Sequence, residues 1–406
     1  MRNTLGAMVL VAWSGCALAQ TYTLNDLGTL GGSNSFANGI SNNGEISAAD
    51  GRAKYKVDIL RNVPGGTYTV ASAINNHGQI AGTAYGPSEC GPSAIGCAAT
   101  WSGTTPTLLG AVPNALLSEA SGINDRGEVV GSAVIAPGVP FDAIVWNHGT
   151  PTVLNHLPAP DSLTSVASAI NNAGLIVGNS DSGYGNQAVV WNGITPTSLA
   201  ASCSAANGIN GAGQIVGNIS NCSEGGIYTN YALLFNGAIT IELPTLGESN
   251  SSAVSINDSL EIVGYSTTLS GAQHAAYWDH ARVLDLGTLG GESSAAAGIN
   301  AQGDVVGWAD TTSQGSHAAY WHKADSKPVD LNTEIGEKEK AQITLTDAVA
   351  INDRCVIVAN GYDNKTGVAE SFVLSPKSGM ECKMACGHHA HVGASMPNAY
   401  LAETCR

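Results

Sequence analysis

Ile170-Asn171-Asn172-Ala173-Gly174-Leu175-Ile176-Val177-Gly178 decides the fold of this chain, because it is one of eight related copies. The others start at Ile40, Ile74, Ile123, Ile209, Ile256, Ile299 and Ile351. Each has an apolar residue, Asn or Ser, two variable residues, usually Gly, and then a short apolar run. An Asn followed three residues later by Gly suits a type I turn closed by a left-handed residue. The Asn side chain bonds the turn backbone, and Gly accepts positive φ at little cost. The two arms of the motif therefore read as the first and second strands of a hairpin.

Working outward, a third strand ends in a large aromatic residue at 101, 146, 191, 235, 278 and 321, with steps of 43 to 45 residues. A tight turn then leads to a fourth strand, as in Arg282-Val-Leu-Asp-Leu286. Four short strands in a repeat of about 44 residues point to an all-β chain. The architecture expected is a β-propeller of four-stranded blades. Eight motif copies predict eight blades. Residues 21–27 read as a fourth strand without its own first three, and the last repeat stops at its third strand, Glu370-Ser-Phe-Val-Leu374. The N-terminal strand is therefore expected to complete the last blade, which would remove an exposed edge.

These motifs resemble the HAF family of extracellular bacterial repeats. The resemblance rests on Asp285-Leu-Gly-Thr-Leu-Gly-Gly291, Ile299-Asn-Ala-Gln-Gly-Asp-Val-Val-Gly307 and His317-Ala-Ala-Tyr-Trp321, and covers roughly residues 22 to 375. The first of these segments recurs identically at residues 26–32. The family's His-Ala-Phe appears here as His274-Ala-Ala276 and His317-Ala-Ala319, and other repeats carry Asp142, Gln187 or Tyr231 in place of the His. The resemblance implies a secreted bacterial repeat protein and supplies no catalytic residue. The polar group at this place in each blade is expected to be structural, bonding backbone between blades.

The chain divides into a signal peptide over 1–19, a repeat domain over 20–376 and a Cys/His-containing tail over 377–406. Arg2, the apolar stretch 5–13 and Ala17-Leu18-Ala19 form the signal peptide, so the protein is expected to be secreted, extracellular or periplasmic. No later stretch is apolar for long enough to form a transmembrane helix. Beyond Cys16 there remain eight cysteines, an even number that favours disulfides in an oxidising compartment. Cys90 is expected to pair with Cys97, and Cys203 with Cys222. Cys355, Cys382, Cys386 and Cys405 can pair in three ways. The tail's His388, His389 and His391 accompany Cys382 and Cys386, and a disulfide-tied tail is preferred there to a metal site.

Asp and Glu number 32 against 16 Lys and Arg, a formal net charge of −16. Clustered basic groups for phosphate are lacking, so nucleic acid is not expected as a partner. Hydrolase and metal-loop motifs are absent as well, and neither a cofactor nor a metal is expected. The tight turns fall on one face of a propeller and the long, variable loops on the other, and variable loops mark the binding face. That face carries the candidate ligand-binding residues Tyr85, Asp181, Tyr184, Tyr228, Trp308, Asp310 and Tyr362. Trp308 stands where other repeats carry Ser132, Asn179 or Asn218, and could stack on a sugar from a strand end. The function expected is a non-catalytic binding or scaffold protein with an extracellular glycan or protein ligand, or a cell-envelope component. The alternative is an extracellular propeller enzyme, a polysaccharide lyase or hydrolase.

Overall fold

The computed structural model describes residues 36–40 and 46–49. It also describes 54–377 apart from 87–93, 135–140, 159–163, 184, 201–202, 221–228, 238, 280–281, 314 and 324–326. The chain splits into two compact units, residues 1–51 and 52–406. In the first, Phe36–Ile40 pairs antiparallel with Ile46–Ala49, with a bulge between Ala37 and Gly39. This hairpin is the first motif copy.

The second unit contains seven groups of four antiparallel strands, numbered here as sheets one to seven. Sheet one runs Tyr68–Ile74, Gln79–Tyr85, Gly96–Ser102 and Thr105–Leu108. The first strands of sheets two to seven are Leu117–Ile123, Ser165–Ile170, Ser204–Ile209, Gly247–Ile256, Gly290–Ile299 and Ile343–Ile351. Sheets one and two also share a single parallel pairing, Gly96 with Leu117. The described residues thus show seven four-stranded groups and the separate hairpin of the first motif copy, and do not show an eighth four-stranded group. The strand that completes sheet seven is Tyr55–Ile59, paired with Ala369–Pro376. Residues 21–27, expected in that place, lie outside the described residues, as does the proposed signal peptide.

One local device recurs in all seven sheets. The first strand carries a bulge just before the motif, for example between Ala167 and Ala169 or between Ala253 and Ser255. The bulge turns a first-strand carbonyl onto the second strand. A Cβ at Gly82, Gly131, Gly178, Gly217, Gly264 or Gly307 would come within 2.2 Å of that oxygen; sheet seven has Ala359 at this place and a second bulge, between Leu345 and Asp347, beside Gly361. That close approach explains the glycine at this place in the second strands of sheets one to six. The hairpin of residues 36–49 has its bulge at the same place relative to its motif.

The third-strand aromatics are core, as expected. Trp101, Trp146, Trp191, Trp278 and Trp321 are at most 1% exposed. Each indole N–H donates at 2.7–3.0 Å to a carbonyl that follows the preceding sheet's outer strand: Arg61, Gly110, Asn155, Pro244 and Leu286 in turn. A second bond joins neighbouring sheets at five places. The hydroxyls of Ser118, Ser165, Ser204, Ser251 and Ser294 accept, at 2.8–3.1 Å, the third-strand N–H of Ala98, Ala143, Ala188, Ala232 and Ala275.

The motif asparagines complete the frame. In Asn171 the Oδ1 accepts from the N–H groups of Ala173 and Leu175, both at 3.0 Å, and shapes its own turn. Its Nδ2 donates to the Asn210 carbonyl of the next sheet at 3.0 Å. The same donation runs from Asn75 to Asn124, Asn124 to Asn171, Asn210 to Asn257 and Asn257 to Asn300, at 3.0–3.1 Å. Asn300 donates to Asn352 at 3.4 Å, and Asn352 returns to the Asn75 carbonyl at 3.1 Å. Sheet seven therefore bonds sheet one just as the others bond their successors. All seven asparagines are only 2–6% exposed.

Replacing Asn171 with Ala should lower stability by about 1–3 kcal/mol for each buried group left without a partner. Asn171→Asp separates the two roles, because it keeps the acceptors for the turn and turns a carboxylate oxygen onto the Asn210 carbonyl. Its denaturant midpoint should fall at pH 7 and recover towards pH 4, where the protonated acid can donate. An Asp variant as stable as the parent at pH 7 would refute the bond between sheets. Gly213→Ala tests the turn alone. Its φ is +81°, and the nearest atom to an added Cβ is Leu175 Cδ1 at 3.7 Å. A loss of about 1 kcal/mol in equilibrium unfolding is expected from left-handed strain.

Candidate functional site

Because sheets one to six are antiparallel meanders, and the first three strands of sheet seven follow the same path, the first-to-second and third-to-fourth turns share one end of the unit. The second-to-third loops lie at the other. At the motif end a well of about 240 Å³ is lined by the seven motif isoleucines, the seven asparagines and the residues that follow them. These followers are Asn76, Asp125, Asn172, Gly211, Asp258, Ala301 and Asp353. They form a second ring. The N–H groups of Asn76, Asp125, Gly211, Ala301 and Asp353 each donate to the side chain of the next follower, at 2.7–3.0 Å. The two remaining steps lead to Gly211 and Ala301, which have no side-chain acceptor. Sequence reasoning treated this position as variable. Its signal was Asn or Asp in five of the seven copies.

At the loop end, the second strands place several expected residues at one level. Residues two apart in a strand share a face. Tyr85, Asp181, Asp310 and Tyr362 occupy the same place in sheets one, three, six and seven, each three residues beyond the Gly or Ala of its second strand. Trp308 sits two residues below this level. It is half-buried inside the strand Val305–Thr311, between Ala295 and Ala318, and not at a strand end as expected. Tyr265 takes the matching place in sheet five, also half-buried, and was missed although it likewise follows a second-strand glycine. At this lower level the small polar residues bridge sheets. The Asn360 amide donates to the Ala71 carbonyl at 3.4 Å, and Ser252 Oγ lies 3.4 Å from Asn218 Oδ1.

Tyr85 stacks on Tyr68 with ring centroids 4.5 Å apart and planes 10° from parallel. Its hydroxyl donates to Glu119 of sheet two at 3.1 Å. Burial, then the Glu119 carboxylate, pushes the Tyr85 hydroxyl up to about 12. Tyr68 and Tyr362 are 36% and 40% exposed and belong to neighbouring sheets one and seven. Asp181 and Asp310 are engaged locally: Asp181 accepts from Gly183 N–H at 2.8 Å, and Asp310 from Ser316 Oγ at 2.6 Å. Tyr184 and Tyr228 lie outside the described residues.

The histidines of the His-Ala-Ala segments bond carboxylates of their own sheets, and not backbone between sheets as expected. His274 Nδ1 is 2.9 Å from both Asp285 oxygens, and His317 Nδ1 is 2.7 Å from Asp330 Oδ2. Sheet two has the pair reversed, with Asp142 Oδ1 2.8 Å from His156 Nε2. Asp285 opens the segment that recurs at residues 26–32, so two of the sequence signatures meet in one hydrogen-bonded pair. In sheet seven the matching residue is Glu370, and Ile59 takes the place of the outer-strand Asp. Glu370 Oε2 is buried with no hydrogen-bond partner among the described residues. Burial, then the nearby Asp363 charge, holds this carboxyl above the usual carboxylate range.

Cys97 lies in the third strand of sheet one, and Cys90 is outside the described residues. The Cys203 carbonyl accepts from Ser220 N–H at 2.7 Å, which sets residue 203 opposite a strand end. Cys222, two residues further on, is outside the described residues too, as are Cys382, Cys386, Cys405 and the tail histidines. Among the described residues, no group of three His, Cys, Asp or Glu could hold a metal ion. No described helix is long and apolar enough to cross a membrane.

No family model and no curated protein matches the chain. Among solved structures, the β-propeller domain of the Trilobed protease from Pyrococcus furiosus, described as having an open velcro topology, is 12% identical with a TM-score of 0.49. The match covers 78% of this chain and 97% of that one. Trypanosoma rangeli sialidase, in complexes with the inhibitor DANA and with sialic acid, is 9% identical with TM-scores of 0.37 and 0.39. These matches cover 84% of this chain but 57% of the sialidase. At this level of likeness neither activity transfers.

Glu370 yields a pH-dependent expectation. A carboxyl raised in the folded state favours its neutral form there, so its contribution to stability declines as pH rises through the unfolded-state value of about 4.3. Glu370→Gln should therefore melt at a higher temperature than the parent at pH 7, and the two curves should converge below about pH 4. A Gln variant that melts lower at pH 7 would mean that Glu370 has a stabilising partner.

Proposed function

We propose that the protein is a secreted, non-catalytic binding or scaffold module of HAF-type repeats, which takes a glycan or cell-envelope ligand at its loop end. One observation carries the reading. Tyr68 and Tyr362 are exposed on neighbouring sheets at the level where Tyr85, Asp181 and Asp310 also stand. Aromatic faces beside polar groups offer a stacking surface for sugar rings, which present C–H groups on their faces and hydroxyls at their edges. At the motif end, by contrast, the asparagines are consumed in holding turns and sheets together. The Cys90–Cys97 and Cys203–Cys222 disulfides would stiffen two of the loops on the binding side.

A polysaccharide lyase or hydrolase is the second reading, and Glu370 is what favours it. A carboxyl that burial pushes towards its neutral form, at the loop end, is shifted in the direction a general acid needs. Both readings share a ligand class and differ in turnover.

A glycan array probed with the mature protein, followed by a reducing-end assay on each hit, separates them. Binding without new reducing ends supports the module, and their release that is lost in Glu370→Gln supports the enzyme. Tyr362→Ala and Tyr68→Ala should each weaken a glycan hit about tenfold or more, in line with about 1.5 kcal/mol for an aromatic contact. Their melting temperatures should stay within a few degrees of the parent. Unchanged affinity in both variants would place the ligand elsewhere.

A further inference from the structure

Among the described residues, the outer strand of sheet four, Ile239–Glu242, is the one outer strand whose residues are all exposed. Ile239 is 63% exposed and Ile241 43%. The ladder with the third strand decides which backbone groups point outward. Leu243 N–H donates to the Ala232 carbonyl at 2.8 Å, and ladder bonds fall on alternate residues of an antiparallel pair. Ile239 and Ile241 therefore bond the third strand. The N–H and C=O groups of Thr240 and Glu242 point away from the sheet.

Sheets one to three share this phase, with Leu109, Leu154 and Leu199 in the place of Leu243. There the residue matching Thr240 is Pro106, Pro151 or Pro196, which has no N–H to offer outward. Pro328 stands at the same distance before Leu331 in sheet six. Proline at an outward position keeps a sheet edge from pairing with another chain. Sheets five and seven lack it but are guarded otherwise. In sheet seven, Tyr55 N–H donates to the Glu334 carbonyl at 3.1 Å, and Lys56 and Asp58 place charge on the strand. In sheet five, Arg282 and Asp285 flank Val283 and Leu284. The edge of sheet four has no proline and no lysine, and its one charge is Glu242 at the strand end.

We propose that this edge pairs with the same edge of a second copy of the chain, antiparallel about a twofold axis at Ile241, so that two copies of sheet four become one sheet. The strand is self-complementary in that register. Thr240 of each copy meets Glu242 of the other, and each such pair exchanges two backbone bonds through the groups that point outward. Ile241 meets Ile241 in the non-bonded pair between them, where side chains come closest. No carboxylate opposes a carboxylate. An axis at Glu242 would set the two Glu242 side chains against each other, and an axis at Thr240 would leave Glu242 beyond the end of the partner strand. Twofold dimers are the commonest protein oligomers. Contact through one short strand is small, and interfaces below about 1,200 Å² are typically transient. Each chain also carries a net charge of −16, a repulsion that salt screens. The expected form is therefore a weak dimer that salt strengthens. It leaves the loop end open and does not depend on the ligand proposed above.

Sedimentation velocity of the purified protein, from micromolar to near-millimolar concentration, tests the pairing. The parent should pass reversibly from monomer to dimer, and its dissociation constant should fall as sodium chloride is added. Thr240→Pro installs the residue of sheets one to three and removes no ladder bond. It should melt as the parent does and weaken dimerisation about tenfold or more, because each reciprocal pair loses the bond from its Thr240 N–H. Ile241→Lys, at an exposed position, sets two ammonium groups against each other across the axis and should weaken dimerisation as much. A parent that stays monomeric throughout overturns the proposal and leaves this edge to a strand of a different protein. Undiminished dimerisation in either folded variant overturns it as well, because the contact then lies elsewhere. So does a dimer that added salt dissociates, since ion pairs would then hold it.

Discussion

Each motif asparagine uses the two halves of one amide for two scales of structure. The oxygen accepts backbone N–H groups of its own turn, and the nitrogen donates to the next sheet's carbonyl. A turn that loses its geometry therefore also loses its neighbour. Seven such links run from Asn75 through Asn352 and back to Asn75. Buried at 2–6% exposure, these amides have no water to fall back on, which makes an unmade bond costly. The Trp N–H and Ser hydroxyl bonds repeat the principle further from the axis. Neighbouring sheets are thus held by directional bonds at several radii as well as by apolar contact.

The two ends of the unit are correspondingly different. The motif end repeats one sequence seven times, and its polar atoms are committed to the frame. Even so, its second ring varies. Gly211 and Ala301 interrupt a chain of side-chain acceptors supplied elsewhere by Asn or Asp. The loop end varies most in residue type. One level of equivalent positions holds Thr83, Ser132, Asn179, Asn218, Tyr265, Trp308 and Asn360. Variation inside a fixed frame is how a repeat acquires a recognition surface without disturbing its fold.

Much of the architecture was legible in the sequence because it rests on local chemistry. Asn and Gly at fixed spacing gave the turn, and the aromatic period gave the third strand. The number of sheets was not legible, since it depends on which copies join the ring. The copy at Ile40 has the motif, the hairpin and the bulge of the others, and nothing local tells it apart from the seven that close on one another. The closing strand failed for a related reason. Residues 21–27 match a fourth strand by sequence, whereas Tyr55–Ile59 lacks the repeated segment and pairs there nonetheless. Of the site, loop length assigned Tyr85, Asp181, Asp310 and Tyr362 to one face, whereas their common level comes from the strand register. The carboxylate partners of His274 and His317 were not, because they sit on an adjacent strand 11 and 13 residues away.

The central claim is that seven sheets close without the first motif copy, through Asn352 and Asn75. Deleting residues 20–51 from the mature protein tests it most directly. The account predicts that the shortened protein folds and unfolds in one cooperative transition, with a melting temperature within a few degrees of the parent. A shortened protein that is unfolded, or that melts in a broad transition far below the parent, would show that residues 20–51 belong to the ring and would contradict the account.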